Sequence, residues 1–382
     1  MGFPPRPGAQ APHRTLRSRG VQLHLGVAAD RAIDAETGMT SLFIVSAARR
    51  PWGAEASLRR LLPALVEAYD AVTVFVPTPE TAVVFQDIAG VEVKLAYYVS
   101  RLQYLVEIGR LMRTKDSGSH VLVFSLQLVP LVLPLRILRP NMKVLVDLHD
   151  APRNPVDLHI VRVLLPMFHR IVAISRYVQA HFRTSRAVVV PRPIEPVEHR
   201  DRHASATLTL GVAGRVDREK EIELAIAVTA ALPALRLIVF GAGLVDGDDY
   251  LDELERLAAN QAPGRVTFAG RVSPEQIFSR IDILFVGNRN EPSGRTVGEA
   301  MWAGLPVVTP STGGSSEFYE DGVSGLQYTA GSLSSALEAV TQLLDRDNRE
   351  RIGRAAEEQM RTSRDPRQLA HAYALALRGK QK

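Results

Sequence analysis

The sequence predicts an α/β protein built from two doubly wound, Rossmann-like domains in series. From residue 41 onward, short runs rich in Val, Ile and Leu alternate with amphipathic stretches. Apolar strands separated by helices are typical of a parallel sheet covered on both faces. The alternation stops at the proline-rich, charged segment 191–205 and then begins again. The length of 382 residues also exceeds what one ordinary core supports, so we predict two domains.

The individual elements follow from this alternation of apolar and amphipathic stretches. In the first half, the predicted strands are 41–46, 72–76, 91–96, 120–124, 142–147, 170–174 and 187–190, with helices such as 56–69 and 102–113 between them. In the second half, the predicted strands are 208–213, 235–240, 265–268, 281–286, 305–309 and 325–328. The predicted helices there are 219–232, 249–260, 273–280, 295–303, 332–345, 348–362 and 366–378. No short repeat is visible, which argues against a solenoid.

These elements set the predicted domain boundaries. We assign 39–196 to the first domain, 197–362 to the second and 363–382 to a C-terminal helix. Residues 1–38 contain Pro, Gly and Arg and only a weak apolar patch, so we expect a disordered extension there. The apolar run 121–135 is interrupted by prolines and is shorter than the ~20 residues that a membrane-spanning helix needs.

The segment 288–304, which reads NRNEPSGRTVGEAMWAG, contains the central candidate for a binding site. Glu291 and Glu299 flank a Pro-Ser-Gly turn after an apolar strand. Pro292 suits the first position of a helix that would carry Glu299 on its second turn. A helix start offers free N–H groups and the positive end of a dipole, so it can hold a phosphate. The two carboxylates can accept hydrogen bonds from sugar hydroxyls, although two surface glutamates on a capped helix are the simpler alternative.

Two loops of the first half place candidate residues at the ends of predicted strands, where ligands bind in such sheets. Gly53 follows the first strand and permits close approach of a ligand to a helix start. An ordinary strand-to-helix turn is the alternative. His149 follows strand 142–147, where it can hydrogen-bond a sugar hydroxyl or transfer a proton. A loop histidine paired with a neighbouring carboxylate explains the pattern equally well.

Two loops of the second half suggest anion binding. Arg215 and Lys220 follow the first strand of that half, and a bidentate guanidinium with a nearby ammonium would suit a diphosphate. Surface charge is the alternative. Gly313 and Gly314 precede a short helical stretch with Glu317 in its first turn, which indicates a second anion cradle or simply a capped helix start.

Motifs of several other enzyme classes are incomplete or missing. Gly241 and Gly243 open like a dinucleotide fingerprint, but G-x-G-x-x-G fails because position 246 is Asp. Asp246 and Asp248 have the spacing of a metal-binding pair, yet loops of this composition are usually solvated turns. The sequence has no Walker loop and no H-E-x-x-H motif, so a Walker-type nucleotidase and a zinc hydrolase are unsupported.

Several motifs occur in a specific order along 41–362. The second half contains GR-x4-K at 214–220, F-x-G at 268–270, D-I-L-F-V at 282–286, EPSGRTVGEAMWAGLPVV at 291–308, and GG-x-x-E with EDG-x-x-GL at 313–326. The first half contains G-A-E at 53–55, H-D at 149–150, and A-I-S-R with V-V-P-R-P-I-E at 173–195. This combination resembles retaining glycosyltransferases of the GT-B fold, glycosyltransferase family 4 (glycosyl transferases group 1).

The resemblance implies two domains that face each other across a cleft, with the last helix crossing back to the first domain. It also implies catalytic roles for four residues. Glu291 is expected to contact the donor sugar, and His149 to lie near that sugar. Arg215 and Lys220 are expected to hold the diphosphate and stabilise it as it leaves.

The same resemblance implies a set of donor-binding residues. Glu299 is expected to bind the ribose, and Glu317 to lie on the nucleotide side of the cleft. The remaining members are Gly53, Ser293, Gly294, Arg295, Gly313 and Gly314. The nucleotide-diphosphate sugar is a substrate in this family, and such enzymes usually need no metal, so we expect neither a cofactor nor a metal.

Two residues depart from the family pattern and motivate alternative functions. Trp52 stands where the family has the first glycine of a pair, and Ser293 replaces the usual aromatic residue after Glu-Pro. The main hypothesis is a retaining glycosyltransferase that moves a sugar to an acceptor hydroxyl. A catalytically silent binding or scaffold protein on the same fold is the second hypothesis, and a sugar-nucleotide epimerase is the third.

Charge and composition suggest partners and location. Residues 41–200 carry 20 basic and 13 acidic side chains, whereas 201–382 carry 21 and 25. The basic half favours an anionic contact such as a membrane surface or a phosphorylated acceptor, although arbitrary surface bias explains it equally well. The expected acceptor is a carbohydrate, a lipid-linked sugar or a small molecule. Basic runs with interleaved aromatics are missing, which argues against nucleic acid. The absence of cysteine fits the cytosol, including the inner face of the membrane.

Overall fold

A computed structural model describes residues 40–51, 53–96, 100, 103–104, 106, 118–138, 140–152, 154–197, 207–243 and 249–379. The predicted extension 1–38, Trp52, most of the predicted helix 102–113 and the Asp246–Asp248 pair lie outside the described residues. Within the described ranges, no helix is long and apolar enough to cross a membrane.

The first sheet is parallel, and its seven described strands have the order β3-β2-β1-β4-β5-β6-β7. Strands such as Ser41–Val45 and His120–Val123 are themselves apolar runs. The central strands are buried along almost their whole length because helices cover both faces of the sheet. The strands are β1 Ser41–Val45, β2 Ala71–Val76, β3 Val91–Leu95, β4 His120–Val123, β5 Lys143–Leu148, β6 Arg170–Ala173 and β7 Val188–Val189.

The second sheet is also parallel, and its six described strands have the order β10-β9-β8-β11-β12-β13. The strands are β8 Leu208–Ala213, β9 Leu235–Phe240, β10 Val266–Gly270, β11 Ile283–Phe285, β12 Val307–Pro310 and β13 Leu326–Tyr328. Two parallel, Rossmann-like sheets in series confirm the predicted fold class.

Helices connect the strands and cover both sheets. Around the first sheet they are α1 Gly53–Ala68, α2 Pro79–Val83, α3 Val132–Leu138, α4 Pro155–Leu164 and α5 Arg176–His181. Around the second sheet they are α6 Ile222–Ala231, α7 Tyr250–Gln261, α8 Pro274–Phe278, α9 Arg295–Trp302, α10 Leu333–Gln342 and α11 Arg346–Ser363. The last described helix is α12 Pro366–Arg378.

The strand order reverses direction once in each sheet. In the first sheet this happens between β1 and β4, and in the second between β8 and β11. Loops on the two sides of such a switch point diverge, which opens a crevice beyond the carboxyl ends of the strands. Two sites are therefore expected, one per sheet.

The C-terminal helix α12 completes the core of the first domain. Asp365 caps it by accepting a hydrogen bond from the Gln368 amide, and Pro366 occupies its first turn. Its apolar face packs against α1 and β6 and contributes Tyr373 and Leu377 to the buried cluster that contains Leu42. This packing agrees with the crossing that the family resemblance implied.

Two local predictions near the site were wrong in detail. The helix predicted at 219–232 begins only at Ile222, because Glu221 adopts a left-handed conformation with φ of +46°. Lys220 therefore lies on a separate 3₁₀ turn rather than at the start of that helix. Pro292 is not the first residue of a helix either, because α9 begins at Arg295 behind an N-cap at Gly294.

Candidate functional site

A partly buried ion pair lies at the switch point of the second sheet. The Lys220 ammonium donates to Glu291 Oε2 at 2.8 Å, and Asn288 Nδ2 donates to the same oxygen at 3.1 Å. The two charged side chains are only about one-fifth exposed, at 19% and 20%. Burial acts to raise the pKa of Glu291, but the Lys220 charge and the hydrogen bonds from Lys220, Asn288 and the Gly294 amide together outweigh it, so the pKa is lowered. Glu291 is therefore ionised at neutral pH.

Glycines let the two loops around this pair approach each other. Gly294 has φ of +82°, and a Cβ built on it would lie 2.7 Å from Ser315 Oγ. A Cβ on Gly314 would lie 2.3 Å from the Pro292 carbonyl oxygen, and the Gly314 amide donates to the Glu291 carbonyl at 2.7 Å. With this packing, Gly294 and Thr296 at the N-terminus of α9 line the same small pocket as Lys220 and Glu291.

Replacing Gly294 by alanine is expected to lower the free energy of unfolding by about 1–3 kcal/mol. The alanine would have to keep the left-handed backbone conformation of Gly294, and its Cβ would have to displace Ser315. Urea denaturation measures this loss. Gly264→Ala is the matched control, because its φ is +70° but no atom lies within 4 Å of the added Cβ. Equal destabilisation by the two substitutions would contradict close loop packing.

The second predicted glutamate faces the first domain. Glu299 is 7% exposed and pairs with Arg295 Nε at 3.2 Å. Burial raises the pKa of Glu299, opposed by the charges of Arg295 and of Arg60 on α1. Gly53 lies at the start of the same helix α1, and a Cβ built on it would lie 4.0 Å from Arg295 Nη1. The structure thus brings Gly53, Arg295 and Glu299 together across the cleft.

Three other predicted residues take no part in the ion pair itself. Arg215 is 44% exposed and is paired with Asp217 at 3.4 Å. Gly313 packs beside the Glu291 backbone, with 3.1 Å between a Cβ built on Gly313 and the Glu291 carbonyl oxygen. Ser293 is half-buried on the loop before α9. Their predicted roles toward a donor stay predictions.

Glu317 is directed at the first domain. Its carboxylate accepts hydrogen bonds from the backbone amides of Arg176 and Tyr177 at 2.9 and 2.7 Å, the first two residues of α5. Ser175, the N-cap of α5, donates from its hydroxyl to the Pro292 carbonyl at 2.6 Å. These bonds tie the loops of the second sheet to one helix of the first domain.

His149 belongs to a buried network in the first domain. Its Nδ1 lies 3.2 Å from Asp147 Oδ1, and its ring packs on Phe124 with 4.5 Å between ring centroids. Asp147 is fully buried and also accepts hydrogen bonds from the Arg192 guanidinium and the Tyr373 hydroxyl. Burial acts to raise the pKa of Asp147, but the Arg192 charge and the interactions with His149 together outweigh it and hold the pKa well below its usual range.

His149 also lines a pocket of about 420 Å³ at the switch point of the first sheet. The pocket lies beyond the ends of β1, β4 and β5. Its polar lining is Glu55, Ser125, Gln127, His149, Asp150 and Asp157. A volume of this size is typical of small-molecule sites.

Sequence reasoning assigned no role to Asn288, Arg60, Ser175, or to Arg192 and Tyr373, which bind Asp147. Asn288, Ser175 and Arg192 lie within quoted motifs, so their positions were flagged but their contacts were not. Tyr373 lies 226 positions from its partner Asp147, and the local pattern around it shows only an amphipathic helix. No local signal links those two residues.

Solved structures share this two-domain architecture. Anabaena HepE in complex with UDP and glucose superposes with a TM-score of 0.76 at 19% identity, over 89% of this chain and all of that chain. The fold is therefore that of the GT-B glycosyltransferases. Residues 198–359 match the family described as glycosyl transferases group 1, a match that covers the second domain and less than half of the chain.

Curated relatives match over stretches of similar length. Sulfoquinovosyl transferase of Arabidopsis thaliana is 30% identical over 153 residues, which are 38% of this chain and 28% of that protein. D-inositol 3-phosphate glycosyltransferase of Mycolicibacterium smegmatis is 30% identical over 138 residues, which are 35% and 32% of the two chains. The chain thus spans about a third or less of the length of either relative.

Proposed function

We propose that this protein transfers a sugar from a nucleotide-diphosphate sugar to an acceptor hydroxyl. The observation that carries the proposal is the Lys220–Glu291 ion pair, which lies at the switch point of the second sheet beside the N-terminus of α9. That place offers a fixed cation, free backbone N–H groups and a carboxylate together. A sugar diphosphate presents the complementary groups. The match of 198–359 to glycosyl transferases group 1 supports the same reaction.

The donor would bind with its diphosphate at the start of α9. Lys220 has three N–H donors, so it can keep Glu291 as a partner and still bind a phosphate oxygen. Arg215 would complete the diphosphate site, together with the amides of 293–295. Glu291 would accept from a sugar hydroxyl and Glu299 from the ribose. The HepE complex contains UDP and glucose, which supports UDP-glucose as the first donor to test.

The chemistry requires no strong nucleophile from the protein. Departure of the nucleoside diphosphate leaves an oxocarbenium-like sugar, and fixed positive charge on the departing phosphates lowers that barrier. We propose that the acceptor hydroxyl enters on the face that the diphosphate leaves and passes its proton to the departing phosphate oxygen. The new glycosidic bond then replaces the sugar–phosphate bond, and the configuration is retained. His149, across the cleft, would hydrogen-bond the sugar. Closure of the cleft would exclude water and suppress hydrolysis of the donor.

The proposal uses no metal ion. In the described part of the chain, no group of three His, Asp or Glu side chains is placed to hold one. The cationic groups of Lys220 and Arg215 would supply the positive charge that a metal provides to diphosphates in other enzymes. Activity measured in the presence of a chelator tests this point directly.

Bound donor is expected to raise the midpoint of thermal unfolding, because a ligand that binds only the native state stabilises it by mass action. At a concentration 100 times the dissociation constant, the stabilisation is about 2.7 kcal/mol. A thermal-shift panel of nucleotides and sugar nucleotides measures this effect. Nucleoside monophosphates are the matched control, because they lack the second phosphate and the sugar.

The panel also separates the alternative functions. If no nucleotide shifts the unfolding midpoint, the transferase proposal fails and a silent scaffold protein is favoured. If the donor binds and its epimer accumulates without acceptor, the protein is an epimerase. Release of nucleoside diphosphate that depends on an added acceptor supports the transferase.

A further inference from the structure

The pocket of the first domain allows an inference about the acceptor. It lies at the switch point of the first sheet, as the Lys220–Glu291 pair lies at the switch point of the second sheet. The loop after β1, the start of α1, the loops after β4 and β5, and α4 enclose it. If the donor binds the second domain, this pocket is the place for the acceptor.

Carboxylates dominate the charge of this pocket. Glu55 is 3% exposed and accepts from the Ser46 hydroxyl at 3.4 Å. Asp150 lies on the loop after β5 and accepts from the adjacent Ala151 amide at 2.8 Å. Asp157 lies in the exposed first turn of α4. The two aspartates therefore keep acceptor capacity for a ligand.

The described lining contains no lysine or arginine. Its only side chain that can become positively charged is His149, whose Nδ1 already faces Asp147. A phosphate in this pocket would therefore meet three carboxylates without a fixed cation. Like charges at such distances repel, and phosphate recognition usually depends on Arg, Lys or several free N–H groups.

The rest of the lining suits the body of a sugar or polyol. Ser125 and Gln127 offer hydroxyl and amide groups, and Leu126, Pro130 and Ile160 form an apolar wall. Carboxylates and amides accept from hydroxyl or ammonium donors, while the apolar wall can cover C–H faces. The chemistry of the pocket thus matches hydroxyl-rich or amino-bearing ligands.

We propose that the part of the acceptor that enters this pocket is a phosphate-free polyol or amino sugar. This inference rests on the proposed transferase function and names its acceptor class. It differs from the phosphorylated acceptor that the basic net charge of residues 41–200 favours. The proposed acceptor also differs from the phosphorylated inositol in the name of one relative, D-inositol 3-phosphate glycosyltransferase.

The test is a transfer assay on the full chain with the donor that the thermal-shift panel identifies. Matched probes are myo-inositol and inositol 3-phosphate, and glucose, glucosamine and glucose 6-phosphate, with products detected by mass spectrometry. Products are expected from the phosphate-free probes. The inference is overturned if a phosphorylated probe is the better member of its pair. It is also overturned if the chain binds donor but transfers to no phosphate-free probe.

Substitutions in the pocket test whether its carboxylates cause the preference for phosphate-free acceptors. Asp157→Asn is expected to raise kcat/KM for a phosphorylated probe relative to its phosphate-free partner by about fivefold, the size of one exposed charge interaction. Glu80→Gln is the matched control, because Glu80 also lies in the first turn of a helix at this edge but outside the pocket. An unchanged ratio in Asp157→Asn contradicts the inference. If the unmodified chain binds no donor at all, the proposed function itself is refuted.

Discussion

Lys220→Ala is expected to lower kcat for sugar transfer by about 10²–10³-fold, because it removes a fixed charge that stabilises the departing diphosphate. The same substitution deprives Glu291 of its ammonium partner. The pKa of Glu291 should then rise toward its ordinary value or above it, because burial acts without the opposing charge. Steady-state kinetics with the identified donor measure the loss, and circular dichroism checks the fold.

A second lysine provides a matched control for this substitution. Lys94 also pairs with a glutamate, Glu92, at 3.0 Å, but it lies on strand β3 of the first sheet. Lys94→Ala should leave kcat unchanged. Glu291→Gln keeps the shape of the site while removing the carboxylate charge, so it separates the role of Glu291 from that of Lys220. Near-normal turnover in Lys220→Ala would refute the proposed role of the ion pair.

Asp147→Asn is expected to reduce the free energy of unfolding by about 3–5 kcal/mol, because it leaves the buried Arg192 charge without a partner. Both side chains are almost fully buried, at 0% and 3% exposed. Tyr373→Phe keeps the ion pair and removes one hydrogen bond, so its expected cost is smaller, about 1–3 kcal/mol. Urea denaturation ranks the variants, and amide hydrogen exchange of β5 localises the effect.

The Asp147–Arg192 ion pair also predicts how the stability of the folded protein depends on pH. The folded pKa of Asp147 is lowered, so its contribution to stability is fully present above the unfolded value near 3.9. That contribution is lost as pH falls below this value through the folded pKa. Asp147→Asn should therefore show a flatter decline of stability in acid. The double variant Asp147→Asn/Arg192→Met should recover part of the lost stability, and an equal or greater loss would contradict the assignment.

The overall architecture could be predicted because it depends on local patterns. Strands such as β1 and β8 are runs of apolar residues, and covered parallel sheets require little else. The position of α9 was also predictable, since the helix expected at 295–303 spans Arg295–Trp302. Its exact geometry depended on packing, because Gly294 rather than Pro292 lies at the entrance, where Ser315 comes close.

The conformation around Lys220 could not be predicted from local propensity. Glu221 sits in a left-handed conformation, which a glutamate seldom adopts. Its carboxylate binds the Arg289 guanidinium at 2.5 and 2.8 Å, a contact between residues 68 positions apart. This tertiary contact accompanies the late start of the helix at Ile222, which leaves Lys220 on its own turn beside Glu291.

The site as a whole was less predictable than the fold, because it depends on which residues meet across the cleft. The local pattern identified Glu317 as a first-turn residue, whereas the structure directs its carboxylate to the start of α5. The pocket carboxylates Glu55 and Asp150 lie within the motifs G-A-E and H-D, but no local pattern indicates that they share a pocket. Their convergence with Asp157 required the three-dimensional arrangement of four separate segments.

The position of α12 has a consequence for synthesis of the chain. Tyr373 and Leu377 fill the same apolar layer as Leu42 and Val74, so the first domain lacks part of its interior until α12 has been synthesised. The second domain has its strands and connecting helices complete by residue 363. Vectorial synthesis would therefore complete the domain that is translated second before the domain that is translated first, the reverse of the usual order.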